Sequence, residues 1–272
     1  MDFDKFPVFC INLKTRNDRW ERFMSQPGLK KFPQVPQRYY GIVGKTWDLD
    51  ADKQVSLHTR RNISQGCRRT HHEIVNKNSV AIYHTHVNLW KHLLEKTDAP
   101  AIVIMEDDLR IDPDSYEKVK KFMAHPIVQS GDWDMLNLGA WSNKYRKIDD
   151  TISALDYSYL FHCYVVSRRG AQRLIERAYP IEMHVDHYAG LMSQLGYIKT
   201  YGPVPRIFSQ FDPKDSDNSD GTCDVCDIPN RAKQLGWATT RGRMQLYQLE
   251  ESLIAISLLL GAVYIGKKYF KV

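Results

Sequence analysis

The chain has 272 residues, 43% of them hydrophobic and 26% charged, a balance that builds a sizeable core and excludes a disordered or fibrous polypeptide. Lys and Arg number 38 against 32 Asp and Glu, a net charge of +6 with no long basic stripe. That argues against nucleic acid and suits a small anionic ligand such as a nucleotide diphosphate.

Five cysteines, at 10, 67, 163, 223 and 226, form no disulfide framework, and residues 1–7 show no basic stretch leading into an apolar run. A reducing compartment without a cleaved signal peptide is therefore expected. Residues 8–13 read as a buried strand, 18–24 as a helix start and 39–43 as a strand ended by Gly44. Apolar residues at 80, 82, 83, 87, 89, 90, 93 and 94 have helical spacing, which predicts a helix over 79–96. The run 100–105 is short, apolar and rich in β-branched residues, the pattern of a central strand. Pro113 opens a helix to about Met123. Strands follow over 133–138 and 159–166, then helices over 169–178 and 185–195. No repeat or linker divides 1–245. This alternation predicts an α/β sheet with helices on both faces.

The chain changes character after that. Residues 252–266 carry no charge, and Lys267, Lys268 and Lys271 follow. Fifteen helical residues reach about 22 Å, short of a bilayer core of about 30 Å, but 253–272 counts 20 residues whose lysines can snorkel. The expectation is a hydrophobic C-terminal helix over 246–272 that anchors the chain to a membrane, with the preceding domain on the cytosolic side. The alternative is a helix buried in that domain.

Glu106-Asp107-Asp108 directly follows the apolar strand, at the edge where open α/β sheets bind ligands. In extended backbone Glu106 and Asp108 share one side and Asp107 takes the other. Hard oxygen ligands there suit Mn²⁺ or Mg²⁺ bridging a diphosphate. Asn12, Lys14, Arg16 and Arg19 follow the first strand, where guanidinium groups can grip phosphate. His84 and His86 lie two apart in a helix, so they cannot share one metal. Asp186, between His184 and His187 ahead of a helix, is a candidate general base and equally a candidate N-cap. Cys223 and Cys226 have zinc spacing without a second pair, and 216–227 echoes a calcium loop without its leading Asp and closing Glu; both readings are rejected.

These residues resemble blocks of glycosyltransferase family 25, the lipopolysaccharide and collagen galactosyltransferases. Phe9-Cys-Ile-Asn-Leu13 with Arg16 and Arg19 is similar to the family's opening block. Ala81-Ile-Tyr-His-Thr85-His86 with Leu89-Trp90-Lys91 resembles its histidine and tryptophan helix. Ile102 to Asp108 resembles its strand and acidic motif, and Trp133 to Gly139 its next strand. Tyr164 to Ala171, with Pro180, Ile181, Val185 and Asp186, resembles the block before its final helix. Ala81, Ile82 and Thr85 depart from the family's Gly, Cys and Ser, and 48–78 looks inserted or rewritten.

The resemblance implies an inverting transferase of GT-A type over 1–245. It would move a hexose, galactose by default, from a UDP-sugar to a glycan, glycolipid or glycoprotein hydroxyl. Asn12, Arg16, Arg19, Glu106, Asp107 and Asp108 would bind the donor, with Glu106 and Asp108 holding Mn²⁺ or Mg²⁺. Asp186 would be the base, and His86, Trp90, His184 and His187 would shape the site or meet the acceptor. Two rivals stand beside it: a metal-dependent hydrolase or phosphoesterase using His84, His86, Asp108, Asp186 and His187, and a membrane-tethered glycan-binding module.

Overall fold

The structure is a computed structural model that describes residues 2–66, 70–211 and 252–265. Contacts divide the chain into two units, residues 1–66 with 72–220, and 67–71 with 221–272.

In the first unit the order is β1 (Val8–Asn12), α1 (Asn17–Ser25), β2 (Gln37–Tyr40), α2 (Leu57–Gln65), α3 (Lys77–Lys96), β3 (Ala101–Glu106) and β4 (Leu109–Arg110). Then come α4 (Ser115–Met123), α5 (Pro126–Gln129), β5 (Met135–Asn137), β6 (Trp141–Lys147), β7 (Ile152–Tyr159) and β8 (Cys163–Ser167). The order closes with α6 (Arg168–Ile175), α7 (Val185–Gln194), β9 (Thr200–Pro203) and β10 (Ser209–Gln210). Eight strands form one mixed sheet in the order β2-β1-β3-β8-β5-β9-β7-β6. β1 runs parallel to β2 and β3, while β8 is antiparallel to β3 and β5. The expected α/β sheet flanked by helices is the fold found.

β3 is central because its sequence can be buried on both faces. Ala101, Val103 and Met105 enter one apolar cluster with Phe23, Val119 and Phe122. Ile102 and Ile104 enter the other with Val87, Trp90 and Leu174. The side-chain period of two makes that division, so a strand covered twice reads as a continuous apolar run. Helix starts are set by short polar side chains. Asn76 accepts Ser79 N–H at 2.8 Å to begin α3, and Ser167 accepts Gly170 N–H at 3.0 Å to begin α6.

Three expectations need revision. The run 159–166 is the end of β7, a turn, and β8, because Leu160 takes a left-handed φ of 73°. The polar edge strand β6 and the short β9 carry no apolar run that marks them. The rewritten segment 48–78 contains α2, capped by Ser56 on Thr59 N–H at 3.1 Å.

In the second unit, residues 252–265 form a helix, α8. Its 14 residues span about 21 Å, and no helix among the described residues is long and apolar enough to cross a membrane. The 20-residue span 253–272 expected from the sequence runs past the described residues; its described part is helical, with Leu253, Ile254, Leu258 and Leu259 exposed. The expected boundary at 245/246, Cys223, Cys226 and the acidic loop 212–220 lie outside the described residues.

Candidate active site

β1 and β3 are parallel neighbours with Ile11 opposite Glu106, so the residues that follow each strand emerge at one sheet edge. Asn12 ties them together. Its Nδ2 donates to Asp107 Oδ2 at 2.5 Å and to the Arg16 carbonyl at 3.0 Å. Its Oδ1 accepts from Arg38, at 2.8 Å from Nε and 2.5 Å from the terminal nitrogen. Arg19, buried in the first turn of α1, reaches Asp107 at 3.1 Å and Asp108 at 3.6 Å. Arg16 sits beside them, paired with Asp18 at 3.0 Å. The guanidinium of Arg38 lies over the rings of Trp20 and Tyr40.

The three carboxylates are in different states. Burial pushes the Asp107 carboxyl up, opposed by Arg19 and by the Asn12 amide. Burial, reinforced by the Glu106 charge, pushes Asp108 up to about 7 despite Arg19. Asp108 Oδ2 accepts from Gln210 at 3.3 Å, and its main-chain oxygen accepts Phe211 N–H at 2.8 Å, where β4 pairs with β10. Asp108 Oδ1 is buried with no hydrogen-bond partner. Glu106 Oε1 lies 3.2 Å from His86 Nε2.

No group of three or more His, Cys, Asp or Glu side chains that could hold a metal occurs among the described residues. The chemistry of the remaining donors still fits a hard divalent cation. Such ions are commonly held by one or two carboxylates plus substrate phosphates, without an all-protein cage. Asp107 is committed to Arg19 and Asn12, which leaves Glu106 and Asp108 with its orphaned Oδ1.

The histidines of α3 do diverge. His84 turns to Asp52, 2.7 Å from Nε2, while His86 turns to Glu106 and to the Tyr164 hydroxyl, 2.9 Å from Nδ1. Trp90, one turn after His86, donates to the same hydroxyl at 2.9 Å.

Asp186 opens α7. Its Oδ2 accepts Leu160 N–H at 3.0 Å and its Oδ1 accepts His187 N–H at 2.8 Å. Burial pushes this carboxyl up, but the His187 and His184 rings and the two N–H bonds outweigh it and leave it below its ordinary value. His187 stacks on His72 with ring centres 4.3 Å apart, and Tyr157 Oη lies 2.7 Å from His187 Nδ1. His184 lies near, its ring 6.3 Å from that of His187.

The expected residues therefore fall into two groups. Asn12, Arg16, Arg19, Glu106, Asp107, Asp108, His86 and Trp90 form one connected network; Asp186, His184 and His187 form another. One turn joins them: His162 O accepts Glu106 N–H at 3.0 Å, and Leu160, two residues earlier, binds Asp186. The imidazoles that a metal hydrolase needs in one shell are spread over separate partners, which removes that rival. Sequence reasoning missed Arg38, Gln210 and Tyr164. Arg38 had a signal, a basic residue ahead of Tyr39 and Tyr40 in a strand parallel to β1.

Open α/β sheets bind their ligands outside the carboxyl ends of the strands, and here that edge carries the carboxylates and guanidinium groups. Residues 6–189 match the family model described as glycosyltransferase family 25 (LPS biosynthesis protein). The chain belongs to glycosyltransferase family 25. It is similar to procollagen galactosyltransferase 1 of Danio rerio, 26% identical over 223 residues, which are 79% of this chain and 34% of that protein. Procollagen galactosyltransferase 1-A of Xenopus laevis is 27% identical over the same shares, and human procollagen galactosyltransferase 2 is 24% identical over 182 residues. The chain thus spans about a third of the length of these relatives.

Proposed function

We propose that this chain transfers a hexose, galactose first, from a UDP-sugar to a hydroxyl of a glycan, glycolipid or glycoprotein acceptor, with inversion at the anomeric carbon. The observation that carries the reading is Asp108: a carboxylate at the carboxyl end of β3, buried beside Glu106, with one oxygen lacking a partner. The ionised form of such a group is stabilised by a cation beside it. Glu106 and Asp108 would hold Mn²⁺ or Mg²⁺. That ion, when bound, supplies positive charge where the leaving diphosphate gains negative charge. Arg19 orients the carboxylates through Asp107 and Asp108, and Arg16 and Arg38 give the same edge positive charge for the nucleotide. Asp186 is the candidate acceptor of the attacking hydroxyl's proton. The similarity to procollagen galactosyltransferases supports galactose and a procollagen-type acceptor as the first to test.

The experiment is a panel of UDP- and GDP-sugars with the full chain, scoring nucleotide release with and without acceptor, in Mn²⁺ and in EDTA. The expected result is acceptor-dependent UDP release, with UDP-galactose preferred and EDTA inhibitory. Nucleotide release that is equal with and without EDTA overturns the metal assignment. Absence of transfer from every donor overturns the reading.

A further inference from the structure

Three buried side chains lead from the core to Glu106. His86 and Trp90 are four apart on α3, so both face the sheet. Tyr164 on β8 lies opposite Ile104 of β3, and the period of two puts it on the same sheet face as Glu106, two residues on. His86, Trp90 and Tyr164 are wholly inaccessible, whereas the Glu106 side chain is 24% exposed.

Donor and acceptor chemistry gives this chain one direction. The indole N–H of Trp90 can only donate, so the Tyr164 oxygen accepts it at 2.9 Å. Tyr164 then has one proton to place, and the His86 Nδ1 lone pair at 2.9 Å is the partner the structure offers it. A His86 protonated on Nδ1 would aim a second donor at the same oxygen and strand the tyrosine proton in the core. The ring proton therefore sits on Nε2 and points at Glu106 Oε1, 3.2 Å away, an acceptor for it.

We infer that Trp90, Tyr164 and His86 form a positioning relay that fixes the orientation of the His86 ring, with its proton on Nε2, and thereby holds the Glu106 carboxylate in the orientation its cation requires. None of the three touches substrate. The relay rests on the functional reading above only for the cation; its tautomer stands independently. Losing the Tyr164 hydroxyl leaves the proton on Nε2, where Glu106 Oε1 accepts it, but removes the bond that fixes the ring's rotation, so the carboxylate loses a fixed anchor while the core keeps its ring packing.

The test uses the full chain labelled with ¹⁵N-histidine, with the His86 signals assigned by their absence in His86→Gln. Long-range proton–nitrogen spectra at neutral pH are expected to show His86 protonated on Nε2 and bare on Nδ1. In Tyr164→Phe, whose melting temperature falls modestly because the buried Trp90 N–H loses its acceptor, the proton stays on Nε2 and the Nδ1 signal moves to that of a lone pair without a hydrogen bond. Mn²⁺ binding, followed by electron paramagnetic resonance, weakens about 10–100-fold, the usual effect of losing a group behind a metal ligand. Because Glu106 itself is intact, kcat at saturating Mn²⁺ stays within a few-fold of wild type and the loss appears in the KM for Mn²⁺. Trp90→Phe, which leaves the tyrosine hydroxyl without a fixed direction, gives a smaller loss of Mn²⁺ affinity in the same sense. A wild-type His86 protonated on Nδ1, or on both nitrogens, overturns the relay, and this needs no variant to fold. Unchanged Mn²⁺ affinity in Tyr164→Phe overturns its link to the cation. A wild type that binds no Mn²⁺ and transfers no sugar instead overturns the functional reading, and the nitrogen spectra still decide the relay.

Discussion

Two carboxylates of the site are pushed in opposite directions. Asp108 is raised to about 7 by burial and Glu106, whereas the two N–H bonds and neighbouring imidazoles lower Asp186. Environments that separate two carboxyl groups in this way divide their roles. Asp108→Asn removes the charge that a cation answers, so Mn²⁺-dependent UDP binding is expected to be lost in calorimetry, while UDP binding in EDTA stays as in wild type. Asp186 is a harder case because it has a second task. Leu160 is left-handed, rare for a bulky side chain, and is held by Asp186 at its N–H and by Asn137 Nδ2 at its carbonyl, 3.2 Å away. Asp186→Asn keeps one acceptor oxygen but turns an NH₂ toward a backbone donor, so a modest fall in melting temperature is expected. If Asp186 takes the acceptor proton, kcat falls about 10²–10⁴-fold, the range for a lost general base, with UDP affinity unchanged. Turnover within a few-fold of wild type, alongside the lowered melting temperature, assigns Asp186 to the Leu160 turn alone.

At the scale of elements, the 48–56 loop is pinned to α3 by one carboxylate. Asp52 Oδ2 accepts from His84 Nε2 at 2.7 Å and Trp47 Nε1 at 2.9 Å, and Oδ1 accepts Gln54 N–H at 2.9 Å. Burial opposes its ionisation, but these bonds outweigh it, and its pKa is lowered. A lowered native value means that the stabilisation is fully present above the ordinary carboxylate value of about 3.9 and is lost as pH falls through the native one. Asp52→Ala is thus expected to cost about 1–3 kcal/mol at neutral pH by stranding buried donors. The gap between the melting temperatures of wild type and variant should begin to narrow as pH falls below about 4 and go on narrowing through the lowered native value; a gap independent of pH excludes this linkage. His84 also shows what the sequence can and cannot tell. Helical geometry alone separates His84 from His86, and the acidic turn after β3 is readable because an apolar strand precedes it. Their partners are not readable: Asp52 lies 32 residues from His84, and Tyr164 lies 78 from His86. Nothing local in 160–166 marks the break after β7, because the left-handed turn falls on a leucine and depends on Asp186, 26 residues on.

For the whole molecule, the question is what the apolar tail does to the rest of the chain. α8 exposes Leu253, Ile254, Ile256, Leu258, Leu259, Leu260, Val263 and Ile265, on all sides of a 14-residue helix. A contiguous apolar surface of that kind in water marks an interaction site or an aggregation liability. The 14 described residues cover about 21 Å against a bilayer core of about 30 Å, so they do not by themselves make a span. Among the described residues, the eight-stranded sheet and both of its apolar clusters are built from residues before 212. Deleting 246–272 is therefore expected to leave the melting temperature and UDP-sugar turnover near those of the full chain, and to abolish flotation with liposomes. If α8 instead belonged to the core, the deletion would expose what it covers, at roughly 25 cal/mol per Å² of apolar area, and the truncated chain would aggregate or melt many degrees lower. Equal flotation of both chains would place any membrane contact outside residues 246–272.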